Sequence, residues 1–248
     1  MRILTIAGLV LKEIFRKKDF YVALILTAVI LAYAASLNFY DVGNTGRYLK
    51  DLGLALIYFF SAVLIVPLAA RQYPSEVRDR TLAVLLAKPV HRREFVLGKF
   101  LGSAAAGAGC FLIYYAIFIL VVSLKMGLPD PVTAVETAAL FILSLMMLAA
   151  LATCLSFYMT VGASVSVSLL LFGLMTLYGP VLSGVGRGAG AVFYYLLPHF
   201  ELFDMRQRLV HGLGPVSWHV LAALALYALT YMALFLFAGW AKFKKTVP

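Results

Sequence analysis

Few side chains in this 248-residue sequence have the types and spacing that catalysis or metal binding requires. Five soft side chains lie in or beside apolar runs and are candidate ligands for a copper-like ion, namely Cys110, Met146, Met147, Cys154 and Met159. Met and Cys also fill gaps in ordinary apolar packing, so we favour packing and predict no metal site. The apolar setting of both cysteines argues against a disulfide framework.

Motifs for nucleotide or acyl chemistry are missing. No G-x-x-x-x-G-K-[ST] loop occurs, because Gly98-Lys99 is followed by Phe100. No H-x-x-x-H pair, C-x-x-C motif or nucleophile elbow occurs either. We therefore predict that the chain is not an enzyme and has no catalytic or cofactor-binding residues of its own.

The composition is that of a membrane protein. Hydrophobic residues make up 63% of the chain and charged residues 13%, and the mean hydropathy is +0.96. A soluble domain is far more polar. The net charge of +10 is compatible with nucleic-acid binding, but the placement of the charges favours a membrane.

Six stretches are long and apolar enough to cross a bilayer, which takes roughly 20 residues each. We predict spans near 20–39, 52–70, 101–124, 137–158, 161–182 and 217–240. Only a few residues, Phe157 to Gly162, join the fourth and fifth, so these two form an antiparallel hairpin. No ionisable residue lies at a predicted mid-membrane position, so ion-coupled transport is disfavoured.

Basic residues set the orientation. With six spans, 15 of the 21 Lys and Arg residues fall on the side that holds the N-terminus, the 71–99 loop and the C-terminus. The other side holds the remaining 6. We predict that the basic side is cytoplasmic and that the protein lies in the inner membrane, where anionic headgroups balance the charge.

Residues 1–18 are predicted to form an amphipathic helix at the interface. Its apolar face carries Ile3, Ile6, Ala7, Val10 and Ile14, and its polar face carries Arg2, Thr5, Lys12, Glu13 and Arg16. An ordinary solvated helix is the alternative. The sequence offers no soluble core to cover this apolar face, which favours the interface.

The 71–99 loop contains a second helical signal. Pro74-Ser75 followed by Glu76 predicts a helix that starts with Ser75 as its N-cap and ends near Ala87. A further helix should start near Val90 to Arg93 and continue into the third span. The loop is either a passive connector or a docking surface for a cytoplasmic partner.

Two other segments have distinctive patterns. Residues 183–216 are rich in glycine and aromatic residues but cannot span, so they predict short re-entrant or interfacial helices on the outer side. Small residues recur four apart at Gly98, Gly102, Ala106 and Cys110, and this spacing permits close helix contact. We favour packing within the chain over a subunit interface.

The stretch EVRDRTLAVLLAKPVHRREFVLGK, from Glu76 to Lys99, resembles the E…(G/R)TL..LL..P(V/I).R..(F/L)..GK pattern of ABC-2 type permeases. The layout of the whole chain is also similar to theirs. Within the family it looks most like the group related to the permease of the nitrous-oxide reductase maturation system, partly through residues 197–204. The chain has His91 where the family often has Ser or Thr.

The resemblance implies an all-α membrane protein with the ABC-2, or type V exporter, architecture. It implies one transmembrane domain, 1–248, comprising an elbow helix (1–18), spans one to five with a cytoplasmic coupling loop (20–182, loop 71–99), the outer re-entrant segment (183–216) and the sixth span (217–241). Partner contacts on the coupling helix and the turn after it would be Glu76, Arg80, Thr81, Leu82, Leu85, Leu86, Pro89 and Arg92.

The resemblance also implies a function. The chain would be the permease subunit of an ATP-driven exporter, paired with a second permease copy and two separate ATP-binding subunits that hold ATP and Mg²⁺. Two alternatives stay open at this point: a stand-alone channel or secondary carrier, and a membrane scaffold that moves no substrate. Co-purification with an ATPase would distinguish the permease subunit from a stand-alone channel or carrier. Substrate-dependent ATP turnover would distinguish it from a scaffold.

The charge asymmetry predicts the topology. Cysteines placed by Asn44→Cys and Asp130→Cys should react with an impermeant thiol reagent in intact cells. One placed by Arg78→Cys should react only after permeabilisation. Labelling of Arg78→Cys in intact cells would overturn the orientation.

Overall fold

The computed structural model describes residues 2–16, 21–22, 25, 29, 33, 45–78, 92–126, 129–185 and 197–246. These residues form α-helices joined by turns, with one short 3-10 helix. The helices are α1 (Arg2–Arg16), α2 (Thr45–Arg78), α3 (Arg92–Met126), α4 (Pro131–Ser156), α5 (Val161–Val185), α6 (Arg206–His211) and α7 (Trp218–Thr246), and the 3-10 helix is Phe200–Phe203.

Four helices in this part of the chain are long and apolar enough to cross a membrane. They are Lys50–Arg78, Arg92–Leu124, Pro131–Ser156 and Trp218–Lys244, which match the second, third, fourth and sixth predicted spans. α5, Val161–Val185, covers the fifth predicted span, and its segment Val161–Leu177 is apolar. The predicted span 20–39 lies almost wholly outside the described residues.

The core of the bundle forms around a group of aromatic rings from α2, α3, α4 and α5. The Tyr58 ring of α2 stacks on Phe141 of α4, with ring centroids 4.5 Å apart, and meets Phe172 of α5 edge-on at 5.1 Å. Phe111 of α3 contacts Phe141 from another side. The Tyr58 hydroxyl is hydrogen-bonded to Ser144 on α4, which satisfies both polar groups inside the apolar core.

The hairpin of α4 and α5 is present as predicted. Asp130 caps α4 by accepting a hydrogen bond from the Thr133 backbone N–H at 3.0 Å, and Pro131 occupies the first helical position. The hydrogen bonds from Thr133 lower the pKa of the Asp130 carboxyl. A turn at 157–160 leads to α5, where the Ser164 hydroxyl donates to the Ala152 carbonyl of α4 at 3.1 Å.

α1 packs against α3 through the small-residue stripe. Ala7 and Val10 of α1 are buried, whereas Leu4 and Leu9 are exposed. A Cβ at Gly102 of α3 would lie 2.5 Å from the Val10 Cβ, closer than real Cβ contacts. Gly102 therefore permits the contact, and at this position the stripe packs within the chain, as predicted. The placement of α1 in a membrane interface stays a prediction.

Short helices follow α5, in agreement with part of the prediction for 183–216. Phe200 and Phe203 of the 3-10 helix are fully buried, with Phe200 against Phe172 of α5 and Phe203 against Tyr227 of α7. After α6, the Val216 backbone N–H donates to the Glu136 carboxylate of α4 at 2.8 Å. Hydrogen bonds to Asp204 raise the pKa of Arg206.

The close contact at Gly102 can be tested with a matched pair of alanine substitutions on α3. Gly102→Ala should overpack the contact with Val10 and cost about 1–3 kcal/mol. Gly109→Ala has open space around its new Cβ and should be neutral or slightly stabilising. Thermal unfolding of the purified protein in detergent measures both. Equal midpoints for the two variants would contradict the packing of α1 on α3.

Candidate functional site

The predicted partner-contact residues lie around the connection from α2 to α3. Glu76 and Arg92 are in the described helices on either side of it. The other predicted contacts fall in 79–91, outside the described residues: Arg80, Thr81, Leu82, Leu85, Leu86 and Pro89. We call the part of the bundle where α2 ends and α3 begins the α2–α3 end.

The predicted helix start at Pro74-Ser75 is wrong. α2 continues through Pro74 to Arg78, and the Ser75 hydroxyl donates to the Gln72 carbonyl of the preceding turn at 3.1 Å instead of capping a new helix. Gln72 is buried and Tyr73 and Glu76 are partly buried, so the last turns of α2 pack on the bundle. This tertiary packing outweighs the local signal of the proline. α3 is already helical at Arg92, where the described residues resume, and the predicted start near Val90 to Arg93 stays a prediction.

Glu76 and Lys99 form a largely buried ion pair between the last turns of α2 and the beginning of α3. The Lys99 ammonium donates to the Glu76 carboxylate at 2.5 Å and to the Gln72 side-chain oxygen at 3.4 Å. The two charged side chains are only 8% and 15% exposed. Since a buried charge without a partner is strongly unfavourable, this pair holds together the two helices that flank 79–91.

Four aromatic rings pack beside the ion pair and bring α4 and α7 to the same place. Phe243 of α7 contacts Tyr73 of α2 at 5.6 Å, Phe95 of α3 at 5.5 Å and Phe157, the C-cap of α4, at 5.6 Å between ring centroids. Phe243 is fully buried. Gly239, one turn earlier on α7, lets the helix approach Phe157 closely. We call Tyr73, Phe95, Phe157 and Phe243 the aromatic cluster.

Basic residues at the start of α3 also contact the end of α7. The Arg92 guanidinium donates to the Lys244 carbonyl at 3.0 Å, where it satisfies an acceptor in the last turn of α7. The Arg93 guanidinium lies over the Trp240 ring at 4.4 Å, a cation–π contact. These contacts fix the first turn of α3 against α7.

The contacts at the α2–α3 end connect helices to one another. No group of three or more His, Cys, Asp or Glu side chains comes together as a metal site in the parts of the chain that the structure describes. Cys110 and Cys154 are buried as free thiols. What the α2–α3 end does provide is a rigid connection, because both helices that flank 79–91 are tied to each other, and to α4 and α7.

Sequence reasoning predicted neither the ion pair between Glu76 and Lys99 nor the packing of the aromatic cluster. A signal for the pair was present, since Gln72 and Glu76 are polar residues four apart, on the same helix face, at the end of an apolar run. No comparable signal existed for the cluster, because its rings come from four separate helices.

The ion pair can be tested by a double-mutant cycle. Lys99→Met or Glu76→Gln alone leaves the other group in a poor environment and should destabilise by up to about 3–5 kcal/mol. The double variant should be more stable than the sum of the two single effects predicts. Thermal unfolding in detergent measures all three, with Lys12→Met at an exposed position on α1 as the control. Additive single effects would show that the two groups do not interact.

Comparison with known proteins tests the resemblance. The sequence model of the family described as ABC-2 family transporter protein matches residues 4–245, nearly the whole chain. No curated protein matches the sequence. The narrower resemblance to the nitrous-oxide reductase group stays a prediction. The family consists of membrane subunits that work with an ATP-binding partner, which agrees with the apolar helices of a multi-pass membrane protein. The chain thus belongs to the ABC-2 transporter family, as a permease subunit of an ABC transporter.

Proposed function

We propose that this permease couples ATP hydrolysis by a separate subunit to export of a substrate across the inner membrane, and that the α2–α3 end is where the coupling occurs. Residues 79–91 would contact the ATP-binding subunit on the cytoplasmic side. The observation that carries the proposal is the ion pair between Glu76 and Lys99, which joins the two helices on either side of that segment.

The ion pair and the aromatic cluster suit the transmission of a movement. A segment whose two flanking helices were independent could move without consequence for the bundle. Here Tyr73 and Phe95, on those two helices, both pack on Phe243 of α7. Because packed interiors deform little, a displacement of 79–91 by a partner would move α2, α3 and α7 together.

The distribution of charge supports an external source of energy. Between Asp51 and Arg71 of α2, and between Lys99 and Lys125 of α3, the sequence has no Asp, Glu, Lys, Arg or His. α5 has none, and α4 has only Glu136, near its start. Ion-coupled carriers usually keep such groups within their spans. The alternative of a secondary carrier is therefore the weaker one, and the scaffold alternative is addressed by turnover measurements.

The expected assembly follows from the family. Two permease copies and two ATP-binding subunits, which hold the ATP and Mg²⁺, would form the transporter, with the N- and C-termini of each permease in the cytoplasm. Glu76 and Arg92 would then have two roles, an internal contact within the permease and a position at the edge of the partner surface.

Truncation of two leucines in 79–91 tests the proposed docking. If they are buried against the ATP-binding subunit, each should contribute about 1.5–3 kcal/mol to the complex. Leu82→Ala together with Leu85→Ala should then weaken it by one to a few orders of magnitude. The measurements are the amount of ATPase subunit retained on affinity-purified permease and the stimulated ATP turnover.

The control removes the same side-chain volume elsewhere. Leu226 and Leu229 on α7 are both more than half exposed, so Leu226→Ala with Leu229→Ala should leave partner retention unchanged. Expression of both double variants should equal that of the unsubstituted chain. Full retention and full turnover in the Leu82/Leu85 variant would show that the loop is a passive connector.

A further inference from the structure

A groove between α3 and α7 opens at the α2–α3 end. It has a volume of about 280 Å³ and is lined by Val96 and Leu97 of α3 and by Ala233, Leu236 and Phe237 of α7, with Arg93 and Trp240 at its edge. Apart from Arg93, this lining is apolar. Both helices are among those long enough to cross a membrane, so the groove faces the region that lipid chains occupy.

The groove continues into a basic mouth of about 530 Å³, since Arg93 and Trp240 line both spaces. The other residues of the mouth are Arg92, Glu94 and Lys244. The mouth thus contains three cationic side chains and one carboxylate. The Arg93 guanidinium lies 4.4 Å and the Lys244 ammonium 6.0 Å from the centre of the Trp240 ring.

We propose that this groove binds one anionic phospholipid, with an acyl chain along the apolar lining and the phosphate near Arg93 and Lys244. The charge of the mouth is complementary to a phosphate, and basic pockets between transmembrane helices are suited to anionic headgroups. Trp240 stands between the two parts, where the amphipathic indole ring is favoured at a membrane interface.

A lipid fits this groove better than a protein partner does. The apolar lining extends along two spanning helices from the mouth toward the membrane interior, whereas a water-soluble subunit reaches only the mouth. The lipid site adjoins the proposed partner surface at Arg92, but lipid binding requires neither residues 79–91 nor ATP and can be tested without the ATP-binding subunit.

The position of Trp240 provides a direct test. The chain has two tryptophans, and Trp218→Phe leaves Trp240 as the only one. We expect phosphatidylglycerol with dibrominated acyl chains to quench Trp240 fluorescence more strongly than dibrominated phosphatidylcholine does. Each brominated lipid is present at the same low mole fraction in phosphatidylcholine vesicles that contain the full chain. Two cations at the mouth should enrich the anionic lipid on the order of tenfold.

Two pairs of substitutions distinguish the groove from the general surface charge. Arg93→Gln with Lys244→Gln should abolish the preference for phosphatidylglycerol. Lys12→Gln with Arg16→Gln removes the same charge from exposed positions on α1 and should keep it. The quenching is expressed relative to each variant's fluorescence without brominated lipid, because the Arg93 substitution changes the surroundings of the ring.

Each remaining outcome overturns the proposal. Equal quenching by the two brominated lipids, or a preference that survives Arg93→Gln with Lys244→Gln, would show that the headgroup is not bound at the mouth. Loss of the preference in the α1 pair as well would assign it to the surface potential alone. Quenching that disappears when the purified ATPase subunit is added would assign the groove to that subunit.

Discussion

The hydrocarbon of a membrane offers no water to hydrogen-bond a peptide group, and this constraint governs how the spanning helices satisfy their polar groups. Backbone groups in the spans are satisfied within each helix. Several hydroxyls also bond within their own helix: Thr137 donates to the Thr133 carbonyl, Thr153 to the Ala149 carbonyl and Thr230 to the Leu226 carbonyl, each one turn earlier. In the described parts of α2, α3 and α4, the Asp, Glu, Lys and Arg residues lie toward the helix ends, where Glu76 pairs with Lys99.

At those ends, the low dielectric makes the stability of an ion pair depend strongly on the presence of both partners. Glu76 and Lys99 each depend on the other, because the loss of either leaves a charge in an environment that penalises it. Such a pair fixes the register of α2 against α3 more narrowly than apolar packing does, since its hydrogen bonds are directional. The adjacent aromatic cluster supplies contact area without direction. Together the ion pair and the aromatic cluster fix the position of α2 relative to α3, the two helices that flank residues 79–91.

Much of this architecture could be predicted from sequence because lipid imposes a length and a composition on each span. Four spans and the short turn between α4 and α5 follow from apolar runs and breaks. The predicted N-cap at Ser75 failed because Pro74 is a local signal, whereas the burial of Gln72 and Glu76 is tertiary. Contacts such as Phe243 with Phe95, almost 150 residues apart, have no local signal at all.

α7 packs on the bundle with one face along its length, whereas its other residues are mostly exposed. Phe243 and Gly239 pack closely at the α2–α3 end, and Met232 and Ala228 are buried near the middle of the helix. Toward the other end, the Tyr227 hydroxyl accepts a hydrogen bond from the His199 backbone N–H. α7 therefore connects the aromatic cluster at one end of the bundle with the buried 3-10 helix Phe200–Phe203 at the other. Under the proposed coupling, this continuous helix is the route by which a movement at the α2–α3 end would reach the opposite end of the bundle.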